Sequence, residues 1–187
     1  EGIKDKTIGE IDLPDIPLWT IWAIQQYRRS EDSNACRERY GRTVKYLVDT
    51  IRGGKVPNLY FNSNGLLSTN GEHSPVSWLS ASINRKPIIP RTGYILEFNA
   101  LWYNALRFAA ALAEGREDLA ERRQAWEAEA DKMSKPFVDT FLNESGYLYD
   151  FVDGTYADPS VRPNQAIAIG LDYSPLDRRQ RKSVLDV

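Results

Sequence analysis

Sulfur and imidazole are scarce in this chain: 187 residues hold one cysteine, one histidine and one methionine. Cys36 has no partner for an internal disulfide, and His73 alone leaves no Cys/His set for zinc, so stapled and zinc-finger architectures are excluded. A surplus of positive charge is also missing. The 24 Lys+Arg stand against 26 Asp+Glu, a formal net charge of −2, so counterion release gives no drive toward nucleic acid and no such partner is expected. No apolar run approaches the roughly 20 residues of a bilayer span, and the polar start of the chain lacks the apolar centre of a secretion signal. No membrane partner is expected either. Walker loop, GxGxxG and GxSxG signatures are all absent, which removes support for nucleotide or serine-hydrolase chemistry.

What the chain does have is ordinary globular composition, 42% hydrophobic and 27% charged, which argues against wholesale disorder and for one domain over residues 1–187. It is rich in polar aromatics. Five Trp and ten Tyr suit stacking on flat apolar ligand faces, sugar rings among them, although core packing accounts for aromatics in any domain. The sole methionine is Met133, and Ser183-Val184-Leu185-Asp186-Val187 reads as an unfinished helix. The expectation is a processed or excised piece, with the cytoplasm as the default location.

Pro14-Asp15-Ile16-Pro17 is a helix entrance, and Leu18, Trp19, Trp22, Ala23 and Gln26 recur at helical spacing before Arg28-Arg29-Ser30 closes the stretch. A second helix opens at Ser33 or Asn34, carries the stripe Tyr40, Val44, Leu47, Val48 and Ile51, and stops at Gly53-Gly54. Residues 55–93 then form a long region of Asn, Ser, Gly and Pro, the expected site-bearing loop, with a β-hairpin signal at Asn62-Ser63-Asn64-Gly65. The clearest helix spans Tyr94 to Glu114, and another covers 116–142 with Pro136 set to kink or split it. Residues 146–154 alternate like a strand and turn at Asp153-Gly154, Arg162-Pro163-Asn164-Gln165 starts a short helix ending near Gly170, and a last helix begins after Ser174-Pro175. Six helices in three successive pairs predict an all-α fold, a toroid of antiparallel helix pairs.

Polar residues inside an apolar helix need partners, because a buried orphan costs about 1–3 kcal/mol. Glu97 and Asn104 lie about 20° apart around their helix, so one stripe carries a carboxylate and an amide two turns apart. They either line a cavity and grip hydroxyls or satisfy loop backbone. Arg162, Asn164 and Gln165 either recognise vicinal hydroxyls or cap the chain. Trp78, within the long loop, is a lid over a ligand or a hydrophobic anchor, and His73 reads as a solvated loop residue.

The blocks Pro17-Leu18-Trp19, Asn64-Gly65-Leu66-Leu67, Ser77-Trp78-Leu79-Ser80-Ala81, Pro90-Arg91-Thr92-Gly93, the run from Glu97 to Leu106 and Arg162-Pro163-Asn164-Gln165 occur in an order that resembles the C-terminal amylo-α-1,6-glucosidase domain of glycogen debranching enzymes. The likeness spans the chain from about Asp15 to its end. It implies an (α/α)6 barrel, here about half of it, that removes α-1,6-linked glucose stubs from glycogen or dextrin by inverting hydrolysis, with no metal or organic cofactor. An α-glucan oligosaccharide or glycogen is the implied partner, and the remainder of the barrel or a second copy of the chain would cover the open helix faces.

Inverting hydrolysis needs a general acid and a general base roughly 6.5–9.5 Å apart. The family's Trp-Met-Asp-Ala block, whose Asp looks like its general acid, reads Trp78-Leu79-Ser80-Ala81 here, and a serine hydroxyl holds its proton too tightly to serve. The base is expected beyond Val187. Glu72 and Glu97 are the candidate substitutes for the acid. By the resemblance, Trp78, Arg91, Glu97, Trp102, Asn104, Arg162, Asn164 and Gln165 form the sugar-binding wall, with an Arg91 to Glu97 ion pair as the structural alternative for those two. A non-catalytic α-glucan-binding or architectural domain that has lost its acid is the competing function.

Overall fold

The computed structural model describes residues 13–29, 33–84 and 86–187. The polar lead and Ser30, where the sequence closes its first helix, lie outside them. Helix α1 covers Ile16–Arg28, with Pro17 in the first turn, where a missing backbone N–H disturbs no helical bond. Its Leu18, Ile21 and Ile24 are buried against the neighbouring helices. Helix α2 follows as Ser33–Arg52, burying Cys36, Val44, Val48 and Ile51, and the chain leaves it through Gly54 at φ +62°. The two helices pack on each other.

Strands β1 (Tyr60–Phe61) and β2 (Leu67–Thr69) form the hairpin foreshadowed by Asn62 to Gly65, with Gly65 at φ +87°. A second, isolated hairpin joins β3 (Ser82–Ile83) to β4 (Lys86–Pro87). Strand β5 (Gly93–Ile95) runs directly into helix α3 (Leu96–Leu112), in which 15 of 17 residues are buried, so α3 is the axis of the core rather than an amphipathic surface helix. It contacts α1, α2, α4 and α5. A 3-10 turn at Glu117–Leu119 leads to α4 (Ala120–Phe141), and Pro136 sits inside that helix without dividing it. Strands β6 (Phe151–Asp153) and β7 (Tyr156–Ala157) precede the short helices α5 (Asn164–Gly170) and α6 (Arg178–Leu185). Asp177 and Gln180 close a reciprocal capping box at the start of α6.

The all-α expectation, and with it the pure helical toroid, is overturned by the sheet. Five strands pair antiparallel in the order β1-β2-β5-β6-β7, although the helices do associate in the successive pairs α1/α2, α3/α4 and α5/α6. The turn at Asn62 to Gly65 and the alternation at 146–154 mark two parts of this sheet, but β5, the three-residue strand that joins them, lies where the helical spacing extends α3 back to Tyr94. Tyr94 instead pairs with Ser68 on one side and Val152 on the other. Gly93 makes this crowding feasible. It sits at φ +78°, and a Cβ there would collide with the Val152 carbonyl oxygen.

Candidate functional site

The sheet and the start of α3 meet where the family-like blocks are densest. Arg91, just before β5, is held in place from behind by Gly71, whose lack of a Cβ lets its backbone lie against the Arg91 carbonyl. Its guanidinium is 2% exposed and every N–H on it is engaged. Nη1 and Nη2 fork onto Glu97 Oε1 and Oε2 at 2.6 and 2.7 Å. On its other edge, Nε and Nη2 fork onto Asp150 Oδ2 and Oδ1 at 2.8 and 3.0 Å, while Nη1 also donates to Ser77 Oγ at 2.9 Å. One cation therefore bridges two fully buried carboxylates from different elements.

Asp150 is the second hub. Besides Arg91 it accepts from Arg162 Nη1 at 2.7 Å and from Asn164 Nδ2 at 2.7 Å, and the same Arg162 nitrogen reaches Asp158 Oδ2 at 3.2 Å. The Arg-Pro-Asn-Gln segment thus does not cap α5, which has no side-chain cap bond, but ties the start of that helix back to the sheet. Gln165 extends the tie by accepting the Leu148 N–H at 2.9 Å. Asn164 Oδ1 is buried and has no partner among the described residues.

The loop carrying Trp78 is fastened separately. Asp15 Oδ2 accepts the Trp78 backbone N–H at 2.9 Å and the Trp19 indole N–H at 3.1 Å, and the Trp19 and Trp78 rings meet edge to face at 6.3 Å. Ser80 Oγ accepts the N–H groups of Val76 and Ser77 at 3.3 and 3.2 Å, so it closes the turn from within. Trp78 stands half exposed on this turn. Its chain neighbour Leu79 walls a cavity of about 300 Å3 together with Ala81, Ile88, Ile89 and Pro163, with Arg91 and Arg162 as the polar side.

Electrostatics separate the carboxylates. Burial pushes the Glu97 carboxyl up from the ordinary glutamate range, against the pull of the Arg91 guanidinium. Burial likewise raises Asp15, outweighing the N–H groups of Trp78 and Trp19. At Asp158 burial also works upward, but hydrogen bonds from Ser160 and Arg162 prevail and hold that carboxyl below the usual range.

Of the residues singled out in the sequence, Arg91, Glu97, Arg162 and Asn164 come together in one network, with Gln165 at its edge. The Arg91 to Glu97 ion pair is present. Asn104 lies elsewhere along α3, where it exchanges hydrogen bonds with Gln25 at 2.6 and 3.2 Å and accepts the Tyr173 N–H at 3.2 Å. Trp102 is fully buried with its ring 6.2 Å from that of Phe61. Glu72 is exposed, 3.8 Å from an exposed His73. Sequence reasoning missed Asp150 as the hub, Ser77 as a support and Asp15 as the anchor of the Trp78 loop. The available signal for Asp150 was a carboxylate set among Tyr147, Leu148, Tyr149 and Phe151. No group of three or more His, Cys, Asp or Glu side chains suited to a metal occurs among the described residues, and no described helix is long and apolar enough to cross a membrane.

Comparison with known families gives a match over residues 10–187 to the model described as Amylo-alpha-1,6-glucosidase. A search of curated proteins gives no match.

Proposed function

The chain belongs to the amylo-α-1,6-glucosidase family, and from that premise we propose that it forms the substrate-holding wall of a debranching glycoside hydrolase. The substrate is an α-1,6 branch stub of glycogen or a dextrin, cleaved with inversion in the parent protein. One observation carries the reading: Arg91, fixed by Glu97, Asp150 and Ser77, lines with Arg162 a cavity whose wall begins at Leu79, next in the chain to half-exposed Trp78. An aromatic face next to fixed donors is the usual means of holding a sugar ring, the ring supplying apolar contact and the donors supplying orientation.

In this reading Trp78 is the platform and Arg162, 17% exposed at its side chain, presents its remaining N–H groups to hydroxyls. Glu97 is a positioning residue. Both of its oxygens accept from Arg91 and the side chain is fully buried, which keeps it away from a leaving group. Asp150 is committed in the same way to Arg91, Arg162 and Asn164. Proton transfer to the departing oxygen therefore falls to a group other than these two.

The second reading, an α-glucan-binding domain without hydrolytic activity, is favoured by Ser80. A serine stands where the family block has its acid, and its oxygen is already occupied by two backbone N–H groups. Hydrolysis of a branched dextrin separates the readings. Free glucose released by the wild type supports the hydrolase and excludes the second reading, whereas glucose released only by Ser80→Asp supports the second.

A further inference from the structure

A second cavity, of about 650 Å3, opens on the face formed by α2, the C-terminal end of α3 and the beginning of α4, away from the Arg91 network. Its volume is that of a small-molecule site. Val44, Leu112 and Trp126 give it a buried apolar floor, and Arg37, Arg42, Lys45 and Arg116 stand around it with Glu38 and Asp118.

Two features make this more than a dent between helices. Arg37 Nε and Trp126 Nε1 are both buried N–H donors, and neither has an acceptor among the described residues. Buried donors are nearly always paired, so two orphans on residues that line one hollow mark a place where an acceptor is wanted. The charges are also uneven. Arg116 is already forked onto Asp118 at 2.8 Å through two nitrogens, and Lys45 pairs with Asp49 at 3.2 Å, while Arg37 and Arg42 face no carboxylate partner among the described residues. Glu38 offsets one of them at most. What remains is positive charge and unused N–H donors above an apolar, partly aromatic floor.

We propose that this cavity binds a small amphipathic anion, an organic phosphoester whose head is taken by Arg37 and Arg42 and whose apolar body lies on Leu112 and Trp126. Guanidinium groups favour such a head because their planar forks match phosphate oxygens. The site is separate from the glucan cleft.

Gly41 supplies the test. It is a helical glycine lining the cavity, and a Cβ on it would meet only Arg37 Cγ, at 3.9 Å, so Gly41→Leu fills the space without disturbing the helix and with better helical propensity. The probe is 1-naphthyl phosphate, titrated into uniformly labelled protein while the five indole N–H resonances are followed by NMR. The Trp126 resonance should shift saturably and that of Trp102, also unpartnered but outside the cavity, should stay. Affinity should fall roughly tenfold in Gly41→Leu and in the exposed-site variant Arg42→Met, and neutral 1-naphthol and inorganic phosphate should each bind at least roughly tenfold more weakly than the probe. No saturable Trp126 shift in the wild type, or undiminished affinity in both variants, each melting as wild type, overturns the assignment. Binding of inorganic phosphate as tight as that of the probe overturns it too, since the apolar floor would then contribute nothing.

Discussion

Arg91 holds two carboxylates that are otherwise fully cut off from water, and its removal leaves Glu97 without a counter-charge and Asp150 with Arg162 alone. Arg91→Met should therefore lose about 3–5 kcal/mol in urea denaturation, the range for breaking a buried ion pair from one side. Arg91→Lys should recover only part of that, because an ammonium cannot fork onto Glu97 and Asp150 at once. Asp15 gives a pH-dependent counterpart. Burial raises its carboxyl above the ordinary aspartate value of 3.8, so the folded state favours the protonated form. That contribution is full below the ordinary value and is lost as pH climbs through the raised one. Wild type should therefore lose stability relative to Asp15→Asn as pH rises from about 4, measured as paired urea melts. At this scale the sequence shows which residues are unusual, such as Glu97 inside an apolar helix and Arg162 before a short one. It does not show who meets whom, since Arg91 and Asp150 are joined only by the pairing of β5 with β6.

Among the elements, the long helices α1 to α4 leave a periodic imprint, while α5 and α6 were legible from the proline and polar residues at their starts. The central sheet was legible only at its two ends, in the turn signal between β1 and β2 and the alternation around β6. Its strands owe their existence to tertiary pairing, and β5 exists because Gly93 lets the chain pass close to Val152 at positive φ. Gly93→Ala should therefore cost more than about 1 kcal/mol and lower the melting temperature, where an ordinary surface glycine would be stabilised by the same change. Pro136 behaves oppositely. It persists in the interior of α4, at the cost of one backbone hydrogen bond, and Pro136→Ala should raise stability by about 1–3 kcal/mol in the same melts. An unchanged or lowered midpoint would mean that the helix is built around the proline.

For the molecule as a whole, the order of short polar and aromatic blocks was enough to indicate the family, because those blocks meet at one end of α3 where the sheet, the Trp78 loop and the entry to α5 converge. Exposed Trp78, Ile88 and Ile89 surround that point, leaving apolar surface beside fixed charge. The α-glucan site proposed above lies here. Its most direct test is calorimetric titration of wild type and Trp78→Ala with a branched maltooligosaccharide carrying a single α-1,6-linked glucose. Saturable binding by wild type, weakened at least roughly tenfold in a variant whose melting temperature is unchanged, is the predicted result. Equal affinity in the two proteins, or no binding by the wild type, would contradict it.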